Sequence, residues 1–219
     1  MTKSIRTVSV VIASVVLIVG TYLAYEKYTR RNHAIALVTD TSARLRAALQ
    51  AQAAENAGNN LEAQATAAEA HASTLRKMNT SSFRPLADAA DDYLVTAREI
   101  LRRQADMQRT RERVDAGFAA LSAYIKADRG ANNWTHEAAR MKQALDKDAR
   151  DYRIAVESYA SLLQSLSASQ VRIAPFVGEG VLIDDRLVAD ARQRALDAHA
   201  ATDQNIRQVT SLDAYRRRR

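Results

Sequence analysis

Four histidines, His33, His71, His136 and His199, are the first side chains to consider for metal binding or proton transfer. A pair of ligands on one helix face needs a spacing of about four residues, and no two of these histidines have it. The Asp and Glu residues do not form the paired Glu-x-x-His pattern of carboxylate-bridged two-metal bundles. With no Cys in the chain, disulfides, thiolate nucleophiles and Cys-ligated zinc or iron–sulfur centres are excluded. Gly178-Glu179-Gly180 is too short for a phosphate loop and lacks the preceding strand and basic residues. The expectation is therefore no catalytic, cofactor or metal residues, and a protein that is not an enzyme.

Three other groups suggest binding rather than catalysis. Gln52, Arg111, Asp148 and Asn205 are polar residues on otherwise apolar helical seams. Matching helix levels by reflection through turns near 82, 130 and 176 puts them at one level, as a buried layer with Arg111 paired to Asp148. Such layers usually set register, because an unpaired charge there is costly. The segment 167–183, SASQVRIAPFVGEGVLI, is apolar and longer than most bundle connections. Its Val171, Ile173, Phe176, Val177, Val181 and Leu182 are either a plug over the bundle end or a docking surface for a protein partner. Arg216, Arg217, Arg218 and Arg219 form a basic tail suited to anionic lipid if it returns to a membrane.

The elements that must position these groups are helices. Of 219 residues, 43 are Ala, six Gly and two Pro, with three Phe and one Trp, which favours helix and leaves little material for sheets. The fold class expected is all-α. Between 86 and 125, steps of four and three alternate through Leu86, Ala90, Tyr93, Ala97, Ile100, Gln104, Met107, Arg111, Val114, Phe118, Leu121 and Ile125. This repeat marks a coiled-coil-like helix packed at a shallow angle on its neighbours. Arg129-Gly130-Ala131-Asn132-Asn133 signals a turn, and the pattern resumes from Trp134 to Leu166. A last helix begins near Asp184 or Asp185, acidic residues suited to an N-cap.

The first soluble helix carries Ile35, Val38, Ser42, Leu45, Leu49 and Gln52 in phase, is interrupted at Gly58-Asn59-Asn60, and restarts out of phase with Leu61, Ala65, Ala68, Ala72 and Leu75. Reading the interruption as a kink gives an elongated antiparallel four-helix bundle over 29–215, with helices at 29–79, 85–128, 134–167 and 184–215 joined in part by the apolar loop 167–183. Reading it as a break gives five helices.

Before the bundle, Val8 to Tyr25 is an uncharged run of eighteen residues, just long enough to cross a hydrocarbon core of about 30 Å. Tyr22, Tyr25 and Tyr28 at its end suit the interface. The expected organisation is a basic N-tail at 1–7, a transmembrane signal anchor at 8–28, the bundle, and the basic tail at 216–219. The net charge of +7 resides at the two ends, since residues 32–215 carry −1, so no nucleic-acid partner is expected. The short basic N-tail favours a single-pass inner-membrane protein with a periplasmic or extracytoplasmic bundle, and the Ala- and Arg-rich composition suggests a bacterial source.

Function on this reading is that of a structural or adaptor protein working through contacts with a protein partner or a second copy. A membrane-proximal bundle is also similar in outline to the periplasmic sensory domains of chemoreceptors, which implies ligand sensing through a partner. The anchor-plus-helix plan resembles the membrane-anchored coiled-coil rods of phage inner-membrane spanins as well.

Overall fold

The computed structural model describes residues 2–53, 60–78, 80–126 and 134–210, with residues 2–18, 53, 134, 135, 209 and 210 described by backbone alone. Among them are five α-helices and no strand: α1 (Thr2–Ala53), α2 (Leu61–Lys77), α3 (Arg84–Lys126), α4 (Trp134–Ile173) and α5 (Asp185–Thr210). Gly58, the Arg129–Asn133 turn and Arg216 to Arg219 lie outside the described residues.

The first correction to the sequence reading concerns α2, which folds back rather than continuing α1 through a kink. His71 on α2 hydrogen-bonds Thr41 on α1, so the pair is antiparallel about a point between 53 and 61. The shift of seam phase after Gly58 has this cause. A kinked helix keeps its apolar stripe facing one neighbour, whereas a returning helix must turn its stripe back towards its origin. The stripe of α2 is Leu61, Ala65, Ala68, Ala72 and Leu75, all buried. Asn60 opens the helix at φ 120°, a conformation Asn tolerates better than most side chains.

Ion pairs between helices record the remaining registers. Arg76 with Asp91, Arg98 with Glu69 and Arg109 with Glu62 run α3 antiparallel to α2. Arg113 with Asp148 and Arg172 with Asp92 set α4 antiparallel to α3, and Arg153 with Asp203 returns α5 along α4. The exposed pairs are worth little individually, and their value here is to mark register. Stability comes from the seams: Leu45, Leu49, Leu86, Tyr93, Leu94, Ile100, Leu101, Tyr159, Leu163 and Leu166 are buried in one continuous core. The numerous buried Ala residues let helices approach closely, so α1 fits between α2, α3 and α5.

This topology gives the molecule two unlike ends. At one end α3 and α4 outrun α1 and α2 as a hairpin, because α1 stops at Ala53 and α2 begins at Leu61, level with Arg109, while α5 accompanies α4 as far as Thr210. Val114, Leu121 and Leu145 fill that hairpin. At the other end α1 leaves the bundle. Its packing begins at Ala34, and residues 2–33 extend beyond it as a single helix about 48 Å long.

The helix α4 runs six residues past the expected end at 167, and α5 starts at Asp185 with Asp184 Oδ1 accepting the Arg186 amide at 2.7 Å. Between them two single turns of 3₁₀ helix, Ala174–Phe176 and Glu179–Val181, form a strap. Since α5 runs parallel to α1, the strap lies at the end from which α1 emerges, not at the opposite tip expected from four helices. By the same geometry α5 leads away from that end, which removes the basis for returning Arg216 to Arg219 to a membrane.

Candidate functional site

The four residues expected to share a buried layer do not meet. Arg111 is half exposed and pairs with Asp115 of its own helix at 3.7 Å. Asp148 instead receives Arg113 Nε at 3.2 Å. Gln52 accepts the Tyr159 hydroxyl at 2.8 Å, and Asn205 faces solvent. The cause is the extra reversal before α2. Beyond Arg109, α3 has lost α1 and α2 as neighbours, so a seam position such as Arg111 opens to water.

The polar groups that are buried lie lower, and two of them, Ser42 and Gln170, hold the strap. Thr41, Ser42, Gln104, Ser169 and Gln170 are each less than a tenth exposed. Tyr93 donates its hydroxyl to Ser42 Oγ at 2.9 Å, and Ser42 donates in turn to the Val181 carbonyl. Arg46, one turn on, donates to the carbonyls of Gly180 at 3.0 Å and Leu182 at 2.8 Å. Gln170 completes the set from α4: its Nε2 donates to the Ile183 carbonyl at 3.2 Å and its Oε1 accepts the Ile183 amide at 2.6 Å. Four consecutive strap carbonyls, 180 to 183, thus receive side-chain donors from two helices. A 3₁₀ turn leaves such carbonyls without partners of its own, and buried ones must find them elsewhere.

The apolar side chains of the strap are largely consumed by this closure. Ile173 and Ile183 are buried, and Phe176, Val177, Val181 and Leu182 are partly buried against the core. Of the six residues expected to form a docking loop, only Val171, 74% exposed on α4, offers a large apolar side chain to solvent.

The histidines remain separate. His33 and His136 are exposed, and His199 stacks on Tyr152 with ring centroids 5.7 Å apart. His71 Nδ1 bonds Thr41 Oγ1 at 2.9 Å, with Asp40 3.6 Å from Nε2, and burial lowers its pKa despite that carboxylate. Among the described residues no cluster of three or more His, Asp or Glu is placed to hold a metal. Burial raises the pKa of Tyr93, Tyr152 and Tyr159, which keeps these phenols neutral, and Tyr93 and Tyr159 use their hydroxyls as hydrogen-bond donors.

On the emerging part of α1, Val19, Tyr22, Leu23, Tyr25 and Tyr28 are each at least half exposed. Among the described residues no helix is long and apolar enough to cross a membrane. The side chains of 8–18, which make up most of the expected anchor, lie outside that description.

Sequence reasoning had Ser42 and Gln104 on seams but passed over them in favour of Gln52 and Arg111. Their signal was a hydroxyl and an amide at positions otherwise filled by Leu, Ile and Ala. Arg46 and Gln170 carried no comparable signal, because their partners are backbone carbonyls more than a hundred residues away for Arg46 and across a turn for Gln170. No family model, no curated protein and no solved structure matches the chain.

Proposed function

We propose that the protein is a membrane-held helical bundle serving as a structural or adaptor component, with residues 8–28 as its transmembrane segment and the bundle on the extracytoplasmic side. The observation that carries this reading is the course of α1. It leaves the bundle at Ala34 and continues as one helix towards the uncharged run at 8–25, with Val19, Leu23 and three tyrosines exposed along the way. Exposed apolar and aromatic side chains on a helix without neighbours are costly in water and favourable at a bilayer interface. Supporting the adaptor role, the buried polar side chains are engaged within the bundle or by the strap: Ser42 and Gln170 bond strap carbonyls, Thr41 bonds His71, Gln104 the Ala48 carbonyl and Ser169 the Leu166 carbonyl.

Three measurements test it. Alkaline carbonate extraction should leave the chain in the membrane pellet, and a unique Cys at Lys126, on the exposed far end of α3, should react with an impermeant thiol reagent in intact cells. Release by carbonate would overturn the anchor, and labelling only after lysis would overturn the sidedness. For the adaptor role, a photo-crosslinking side chain at Val171 should give discrete adducts with protein; adducts with lipid alone, or none, would count against it.

A sensory reading has one observation in its favour. The helix that would cross the membrane is the same helix whose Ser42 and Arg46 hold the strap before α5, so displacement of α1 would reach α4 and α5 directly. The folded-back topology does not favour the extended rod.

A further inference from the structure

The two corners of the bundle end from which α1 emerges differ in height and in charge. The strap corner meets α1 at Ser42, seventeen residues above Tyr25, or about 25 Å along the helix axis. The α2–α3 corner reaches much lower. His71 is level with Thr41 and the helices are antiparallel, so Lys77 is level with about residue 35. The turn at 80–83 then continues to about residue 30, only about 7 to 8 Å above Tyr25. The headgroup layer on each side of a bilayer is about 5 to 7 Å deep.

Charge follows the same division. The high corner holds Glu179, Asp184 and Asp185 with Arg46, Arg172 and Arg186, and of these cations Arg46 is engaged by strap carbonyls and Arg172 by Asp92. The low corner holds Lys77 and Arg84, both exposed, the latter with Asp88 at 3.9 Å across a fully solvated gap. Lys27 and Arg31 join them from α1. Their spacing to Ala34 and Val38, at seven residues each, puts them on the helix face that α2 and α3 bury one to two turns higher. Among the described residues no acidic side chain pairs with Lys27, Arg31 or Lys77, whereas Arg30 is paired with Glu26 and Arg76 with Asp91.

We infer that the α2–α3 turn is a second membrane contact, in which Lys77 and Arg84, with Lys27 and Arg31, bind the phosphates of anionic lipids and hold the bundle against the bilayer on that side. This inference rests on the transmembrane reading of 8–28. Flexible Lys and Arg side chains span the remaining few ångströms to the headgroups, and the strap corner stays clear of them by its height.

The absence of Cys allows single labels in the full chain, reconstituted in nanodiscs of phosphatidylcholine with or without phosphatidylglycerol and carrying headgroup-quencher lipid. A fluorophore at Ser82→Cys should be quenched strongly when phosphatidylglycerol is present and weakly without it, while one at Glu179→Cys stays bright in both. Neutralising the corner with K77Q/R84Q should lower the ratio of docked to undocked bundle about 25-fold, at about fivefold per cation. Quenching at Ser82 no greater than at Glu179, with a Leu23→Cys label quenched, would overturn the second contact and leave the anchor intact. Quenching at Ser82 that ignores both phosphatidylglycerol and K77Q/R84Q would overturn the lipid-charge basis. A Leu23→Cys label that is itself unquenched would instead overturn the anchor.

Discussion

Substituting Ser42 isolates the strap closure, because its hydroxyl lies between Tyr93 and the Val181 carbonyl. In Ser42→Ala two polar groups lose a partner, the buried Tyr93 hydroxyl and the partly buried Val181 oxygen. Orphaning costs about 1 to 3 kcal/mol per group, so a total of about 2 to 4 kcal/mol is expected once partial relaxation of the half-buried Val181 is allowed. Tyr93→Phe removes a donor but leaves Ser42 bonded to Val181, at a cost of about 0.5 to 1.5 kcal/mol. In the double variant the phenol is no longer there to be orphaned. The cost should therefore fall short of the sum of the singles by about 1 kcal/mol or more. Urea unfolding of the full chain in mild detergent, followed by helical circular dichroism, gives these differences from the midpoints. Amide exchange should locate the loss, with the Val181 and Leu182 amides losing protection in Ser42→Ala ahead of α3. Additive single costs, or a Ser42→Ala cost below about 0.5 kcal/mol, would refute the closure as an energetic unit.

Three further perturbations have defined signs. Gln104 donates to the Ala48 carbonyl at 3.2 Å while its buried Oε1 has no partner, so Gln104→Leu should be neutral to about 1 kcal/mol more stable by midpoint, and a loss above 1 kcal/mol would contradict this. Gly117 lies inside α3, and a methyl there would meet Leu145 Cδ1 at 3.4 Å. Gly117→Ala should raise stability by up to about 1 kcal/mol, or about 2 to 4 °C in Tm, and a lower Tm would show that Leu145 cannot yield. Burial lowers the pKa of His71 below its ordinary value, so between the two values the unfolded chain binds more protons. Its contribution is complete above pH about 6.5 and is lost as pH falls towards the folded value, a slope that His71→Gln should flatten in unfolding midpoints read across pH.

The helical class and most seams were legible in the sequence because a repeat of four and three needs only local spacing to be read. Leu86, Ala90, Tyr93, Ala97, Ile100, Gln104 and Met107 are all buried, and so is the α2 stripe from Leu61 to Leu75. What local spacing does not carry is direction. An interruption at Gly58 is compatible with a kink or a reversal, and only the change of phase after it separates the two. The choice of kink then displaced everything inferred by reflection: the level of Arg111 against Asp148, the end at which 167–183 lies, and the destination of α5. A single reversal therefore moved the candidate polar layer one to two turns along α3, from Arg111 to Gln104, and carried the apolar connection from the free tip to the end where α1 emerges. The strap closure was illegible for a different reason. Its acceptors are main-chain carbonyls, which every residue possesses, so Ser42 and Arg46 have no partner that composition or spacing reveals.

Relocating the strap also changes what the bundle end can do. On a four-helix plan the apolar connection is a free tip and a natural place for a partner. On the observed plan it is pinned to the helix that leads to the uncharged run, with Gln170 and two residues of α1 holding its carbonyls and Tyr93 bonded to one of those two, Ser42. Any force along α1 would act first on Ser42 and Arg46, one turn apart and both bonded to the strap, and only then on α5, whose N-cap Asp184 follows Ile183 directly. The free tip is instead the α3–α4 hairpin, whose core narrows to residues such as Val114, Leu121 and Leu145. With fewer helices around it than the body of the bundle, that hairpin should exchange its amides before the five-helix core does. Contact with a partner there would add neighbours to a sparsely packed hairpin, whereas contact at the strap would have to break a closed set of hydrogen bonds.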